Sequence, residues 1–164
     1  MPEGGRIVVS DTTPLIALAV IDRIEILGNL YGEIRIPRAV LNEIVAGGER
    51  RPGPRAIQVA SWIRVADLAD PSRAALLADL DRGEAEVIAL AQEVHADLVL
   101  VDERLARAHL RRLGVSITGV VGVLLKAKKE GLISEVAPLL TELKRGGIWL
   151  GQGLVQEALD LAGE

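Results

Sequence analysis

Two aspartates that each follow an apolar strand are the first residues of this sequence placed to do chemistry. Asp11 ends Arg6–Ser10, a short β-branched run, and Asp102 ends Leu98–Val101, the clearest strand in the chain. Ligands of an open parallel sheet bind beyond the carboxyl ends of its strands, near the point where strand order reverses. If the two strands are neighbours, both carboxylates project into one crevice. Helices can add further acids. In the helix Ala39–Val45, Val40, Leu41 and Ile44 form the apolar stripe and Glu43 lies on its flank. Glu84 stands one turn before Val87 and Ile88 and shares their sheet-facing side, whereas Glu86 lies about 200° around the axis and should point elsewhere. Glu84 is the preferred third acid, and Glu86 stays open.

Converging carboxylates repel and raise one another's pKa unless a cation neutralises them. Hard oxygen donors, with no cysteine and no clustered histidine beside them, favour Mg²⁺ or Mn²⁺ over zinc. Such an ion lowers the pKa of a bound water and stabilises charge developing on phosphate, so no nucleophilic side chain is needed. Each acid also has a structural reading. An Asp after a strand often caps the next helix, which applies to Asp102, and Glu43 or Glu84 taken alone reads as a solvated helix residue.

Basic residues lie close by in sequence. Arg104, Arg107 and Arg111 fall along one face of the helix after Asp102, with Arg112 adjacent, and could hold an RNA backbone; a solvated face is the alternative. The loop Glu49–Arg55, with Arg50, Arg51 and Arg55, is a second, weaker candidate. His95 and His109 have no ligand-like spacing. Gly114, Gly119 and Gly122 do not make a phosphate-binding loop. Trp62 and Trp149 are too few for a stacking platform and are expected to pack.

The elements that must position these residues alternate. Strands are expected at Arg6–Ser10, Glu33–Ile36, Ile63–Ala66, Leu98–Val101 and Val115–Thr118. Helices are expected at 15–20, 24–30, 39–45, 57–62, 71–80, 84–94, 105–113, 120–130, 135–144 and 155–161. Strands alternating with helices imply an α/β protein: a Rossmann-like α/β/α sandwich around a short parallel sheet of about five strands. With no repeat and no linker, residues 1–164 are expected to form one domain, with about 132–164 as a C-terminal helical appendage.

Composition narrows the function classes. Aromatics are only 2% and Phe is absent, so the core is aliphatic and base stacking is a poor mechanism. The absence of cysteine excludes thiol catalysis, disulfides and zinc–thiolate sites. A net charge of −4 argues against coating nucleic acid by charge alone. No apolar run is long enough to span a bilayer, and a soluble cytoplasmic protein is expected.

The assembled motifs resemble the PIN-domain family, including the VapC-like toxin ribonucleases. Val8-Val9-Ser10-Asp11-Thr12-Thr13-Pro14 is similar to the family's first strand, with Asp11 as its first metal-site acid and Thr12 and Thr13 at its small hydroxyl positions. Ile36-Pro37-Arg38-Ala39-Val40-Leu41-Asn42-Glu43 resembles the segment carrying the second acid. Asp81-Arg82-Gly83-Glu84-Ala85-Glu86 resembles the third motif, where many relatives begin the helix with Asp. Leu98–Arg104 resembles the fourth, with Asp102 as the acid and Glu103 assisting. The resemblance covers almost the whole chain and implies Mg²⁺- or Mn²⁺-assisted hydrolysis of RNA at Asp11, Glu43, Glu84 and Asp102. It further implies a homodimer and, as in many relatives, a separately encoded antitoxin as partner. The Glu-for-Asp change and the acidic net charge motivate an alternative, a non-catalytic nucleic-acid- or protein-binding regulatory module. A phosphotransferase with Asp11 as nucleophile ranks low, because Thr13 stands where its second Asp would be.

Overall fold

A computed structural model of the protein describes residues 5–48 and 52–164. Five parallel strands form one sheet in the order β3-β2-β1-β4-β5: β1 (Val8–Ser10), β2 (Ile34–Pro37), β3 (Ile63–Ala66), β4 (Leu98–Leu100) and β5 (Ile117–Thr118). Helices flank it, giving the α/β/α layering expected. β4 is apolar throughout and β1 is apolar up to Ser10, because both faces are covered, and every residue of each is buried. They lie side by side, with Val8 opposite Leu98, Val9 opposite Val99 and Ser10 opposite Leu100. The chain leaves β1 toward one edge and β4 toward the other, so the switch point lies between them.

Right-handed crossovers then fix the layers. On one face α6 (Arg82–Glu93) packs on β1 and β2 beside α7 (Arg104–Arg112). On the other, α1 (Thr12–Val20) and α2 (Glu25–Tyr31) pack with α8 (Val120–Lys129). The helix α3 (Arg38–Ala46) touches both α1 and α6 and brings the two layers together beyond the strand ends. The last helices, α9 (Ala137–Arg145) and α10 (Gln152–Ala162), add Leu139, Leu140, Leu143 and Ala158 to the same continuous core.

Two helical segments differ from expectation. The helix placed at 57–62 begins at Pro52 and ends at Val59 (α4). Prolines read from sequence as loop punctuation are well suited to a helix's first turn, where amide hydrogens go unpaired. Arg55 is thus an exposed helix residue and no part of a loop, while Arg50 and Arg51 lie outside the described residues. The helix placed at 71–80 is one turn only, α5 (Ser72–Ala75). Asp81 is committed to capping α6, and His109 of α7 holds Asp79 at 2.9 Å, so the chain must turn before a longer helix can form.

Candidate active site

Asp11 occupies the junction between β1 and α1. Its amide donates to the Leu100 carbonyl at 2.9 Å, which ties the site to β4, and its side chain is buried at 5% exposure. Burial raises its carboxyl from 3.8 to about 7; a hydrogen bond from the Thr12 amide opposes this, and the charges of Glu43, Glu84 and Asp81 push it further up. Among the described residues, no basic side chain is one of the groups acting on it.

Glu43 reaches this group from α3 and Glu84 from the first turn of α6. The Glu43 carboxylate lies over the backbone of Gly83: a methyl built there would stand 2.7 Å from Glu43 Oε1 and 3.6 Å from Asp81 Oδ1. Glu84 is held by a reciprocal cap. Its amide donates to Asp81 Oδ1 at 2.8 Å while its carboxylate accepts from the Asp81 amide at 3.3 Å. Burial raises the Glu84 carboxyl, Asp81's charge adds to this, and the bond from the Asp81 amide opposes it; Glu103 and Glu43 raise it further. Asp81 therefore belongs to the acidic group, beyond the Glu84 and Glu86 expected of that motif. The Asp-x-x-Glu spacing at 81–84, a capping-box signature, was the available signal.

Glu86 is occupied elsewhere. Its side chain, 12% exposed, accepts from the Ala39 amide at 3.2 Å and from Arg82 Nε at 3.2 Å, satisfying the first turn of α3. Of the two glutamates, it is Glu84, the preferred third acid, whose charge acts on Asp11.

Asp102 follows β4 as expected, but its carboxylate accepts from the Val120 amide at 3.1 and 3.2 Å, at the start of α8. It does not cap the helix that follows it. That task falls to Glu103, which accepts from the Leu105 and Ala106 amides at 2.7 and 3.1 Å. Burial raises the Asp102 carboxyl, while the Val120 amide and the Arg107 charge lower it. The charge of Asp102 is not among those acting on Asp11. As they stand, no three acids among the described residues are gathered tightly enough to enclose a metal ion.

The hydroxyl positions differ from each other. Thr13 is exposed, whereas Thr12 Oγ1 is buried without a hydrogen-bond partner. An unpaired buried hydroxyl next to the acidic group is a place for a further polar ligand. Arg104 and Arg111 are exposed on α7, as is Arg112, and Arg107 is half-buried with Nη1 donating to the Val101 carbonyl at 3.3 Å. Trp62 packs on Gly28 as expected, but Trp149 is 86% exposed. It lies between Ile148 and Leu150, which turn inward, so an extended connection turns it out. No helix among the described residues is long and apolar enough to cross a membrane.

A parallel α/β/α sandwich whose strand-order switch carries a buried aspartate, acted on by the charges of three further acids, has the architecture of a nuclease-type α/β domain. A family model described as a PIN domain matches residues 7–164, and the chain belongs to the PIN-domain family. PIN domains are typically nucleases and generally use divalent metals. No curated protein matches the sequence.

Proposed function

We propose that the protein is a metal-dependent ribonuclease that cleaves RNA phosphodiester bonds with a metal-activated water. The observation that carries this reading is the buried Asp11, acted on by the charges of Glu43, Glu84 and Asp81 and, among the described residues, by no basic side chain. Such a group is stable in its charged form only with a cation. The donors fit a hard divalent ion: carboxylates, with the orphaned Thr12 hydroxyl beside them and no cysteine in the chain. Asp11, Glu43 and Glu84 would hold Mg²⁺ or Mn²⁺, with Asp102 and Glu103 at the margin. When bound, the ion lowers the pKa of a coordinated water and offsets charge on phosphate.

The remaining work falls to the protein's own groups. Arg104, Arg107 and Arg111 grip the backbone phosphates and orient the strand across the sheet end. The Thr12 hydroxyl donates one hydrogen bond into the site. Asp102, fixed by the Val120 amide and Arg107, holds α7 and α8 in register beside the acids. Water adds across the P–O bond and leaves one phosphate-bearing and one hydroxyl-bearing end.

The test is cleavage of a mixed-sequence RNA with Mn²⁺, wild type beside Asp11→Asn, and EDTA as control. Activity that needs both the metal and Asp11 supports the reading; cleavage retained by a folded Asp11→Asn protein overturns it. A cytoplasmic toxin held by an antitoxin protein, and a homodimer, complete the proposal. Light scattering after gel filtration reads the dimer directly. A second reading, the non-catalytic binding module, is favoured by the turning of Asp102 toward α8. Calorimetric titration with Mn²⁺ separates the two, because the module needs no metal affinity.

A further inference from the structure

A cleft of about 440 Å³ opens between α7, β5, α8 and α10, with Asp102 on its wall. Glycine keeps the α8 side of it low: a Cβ at Gly119 would collide with Asp102, and one at Gly122 with the Thr118 hydroxyl. The opposite wall, from α10, is apolar apart from Glu157. Leu154 and Leu161 of α10 line it and remain 45% and 71% exposed. Arg107 and Arg111, one turn apart on α7, also line the cleft; Arg107 donates Nη1 to the Val101 carbonyl and its charge acts on Asp102, while Arg111 is in no salt bridge among the described residues. Thr118 and Glu157 supply a hydroxyl and a carboxylate.

This mixture selects its occupant. A purely apolar ligand would cover Arg107, Arg111 and Glu157 and leave their buried donors and acceptors unpaired. A bare anion would leave Leu154 and Leu161 in water and face the carboxylates of Asp102 and Glu157. A flat apolar body with a hydrogen-bonding edge and one attached anion satisfies every wall. The volume also lies within the range of small-molecule sites, about 300–1,000 Å³.

We infer that this cleft is a subsite for a single nucleotide of the RNA. Its phosphate lies on Arg107 and Arg111, its base lies against Leu154 and Leu161, and the base edge meets Thr118 and Glu157. The assignment of the nucleotide to an RNA strand rests on the nuclease reading; the binding itself does not. Asp102 follows β4 and Asp11 follows its parallel neighbour β1, so the cleft that Asp102 lines opens at the same end of the sheet as Asp11.

The test is titration of the protein in EDTA with 5′-AMP, 5′-GMP, 5′-CMP, 5′-UMP and inorganic phosphate, followed by backbone amide NMR. At least one nucleotide is expected to shift the resonances of Gly119, Gly122, Leu154 and Leu161, and to bind more tightly than phosphate. Arg111→Ala and Leu154→Asp are each expected to weaken it about tenfold or more, a change equivalent to about 1.4 kcal/mol. Both residues are exposed, and an acid at 154 falls in the first turn of α10, where it is compatible with the helix. The inference is overturned if no nucleotide perturbs the cleft, if inorganic phosphate binds equally well, or if both variants bind like wild type. Nucleotide binding without Mn²⁺-dependent cleavage keeps the subsite and removes the nuclease. Cleavage by a protein whose cleft ignores all four nucleotides removes the subsite alone.

Discussion

At the scale of single residues, Asp11 carries a charge the metal-free protein holds at a cost. Its carboxyl is raised from 3.8 to about 7, so the folded state binds a proton more tightly than the unfolded chain. The associated stability is complete below the unfolded value of 3.8 and is lost as pH rises through about 7. Asp11→Asn removes the charge and is expected to raise the Tm of the metal-free protein at pH 8 by roughly 3–10 °C, at about 2–4 °C per kcal/mol for a domain of this size. At pH 3.5 the two proteins should melt together; scanning calorimetry at both values checks the sign. The two glutamates separate by the same kind of measurement. Glu86→Ala strands the Ala39 amide and is expected to cost about 1–2 kcal/mol of stability in urea unfolding, with Mn²⁺ affinity retained. Glu84→Gln keeps the cap and should lose metal affinity instead. Asp11 was legible from sequence because an apolar strand runs straight into it. The partner of Asp102 was not, because Val120 is eighteen residues away and meets it only once β5 and α8 are in place.

At the scale of elements, α3 and α6 meet through a glycine that the acids require. Alanine is the better helix former by about 1 kcal/mol, yet a methyl at Gly83 would stand 2.7 Å from Glu43 Oε1. The obstacle is the tip of a flexible side chain, so the fold can yield. Gly83→Ala is therefore expected to melt at or above the wild-type temperature while binding Mn²⁺ more weakly, by calorimetric titration; unchanged affinity would remove Glu43 from the ligand set. Strands were the most legible elements: each of the five expected runs contains or overlaps an observed strand, and Ile63–Ala66 is observed at its expected limits. Helices were legible where an apolar stripe repeats. They were misread at 52–59 and 71–80, where prolines open a helix and where Asp79 and Asp81 are claimed by neighbouring helices.

At the scale of the whole molecule, the far end of the described chain fastens the C-terminal helices. The Glu164 carboxylate accepts from the Val136 and Ala137 amides at the start of α9 and from Lys128 of α8, and these partners, the Val136 amide first, lower its pKa to about 2. Its contribution to stability is present above the ordinary glutamate value and fades as pH falls toward about 2. Glu164→Gln should lower Tm at pH 7 and leave it unchanged at pH 2, with hydrogen exchange rising first in α9. Divalent ion binding should in turn raise Tm with concentration, as any ligand of the folded state does. The alternation of strands and helices made the layered architecture legible. The strand order was not, because it rests on pairings such as Val9 with both Arg35 and Val99.

Those pairings also decide when the protein comes into being. A ribosome releases a chain from its N-terminus at about 5–20 residues per second, and β1 sits between an early partner and a late one. Until Leu100 emerges, the amide of Asp11 has no carbonyl to anchor it and the crevice has no second wall. A nascent chain thus carries Asp11 for some time before the crevice that buries it exists.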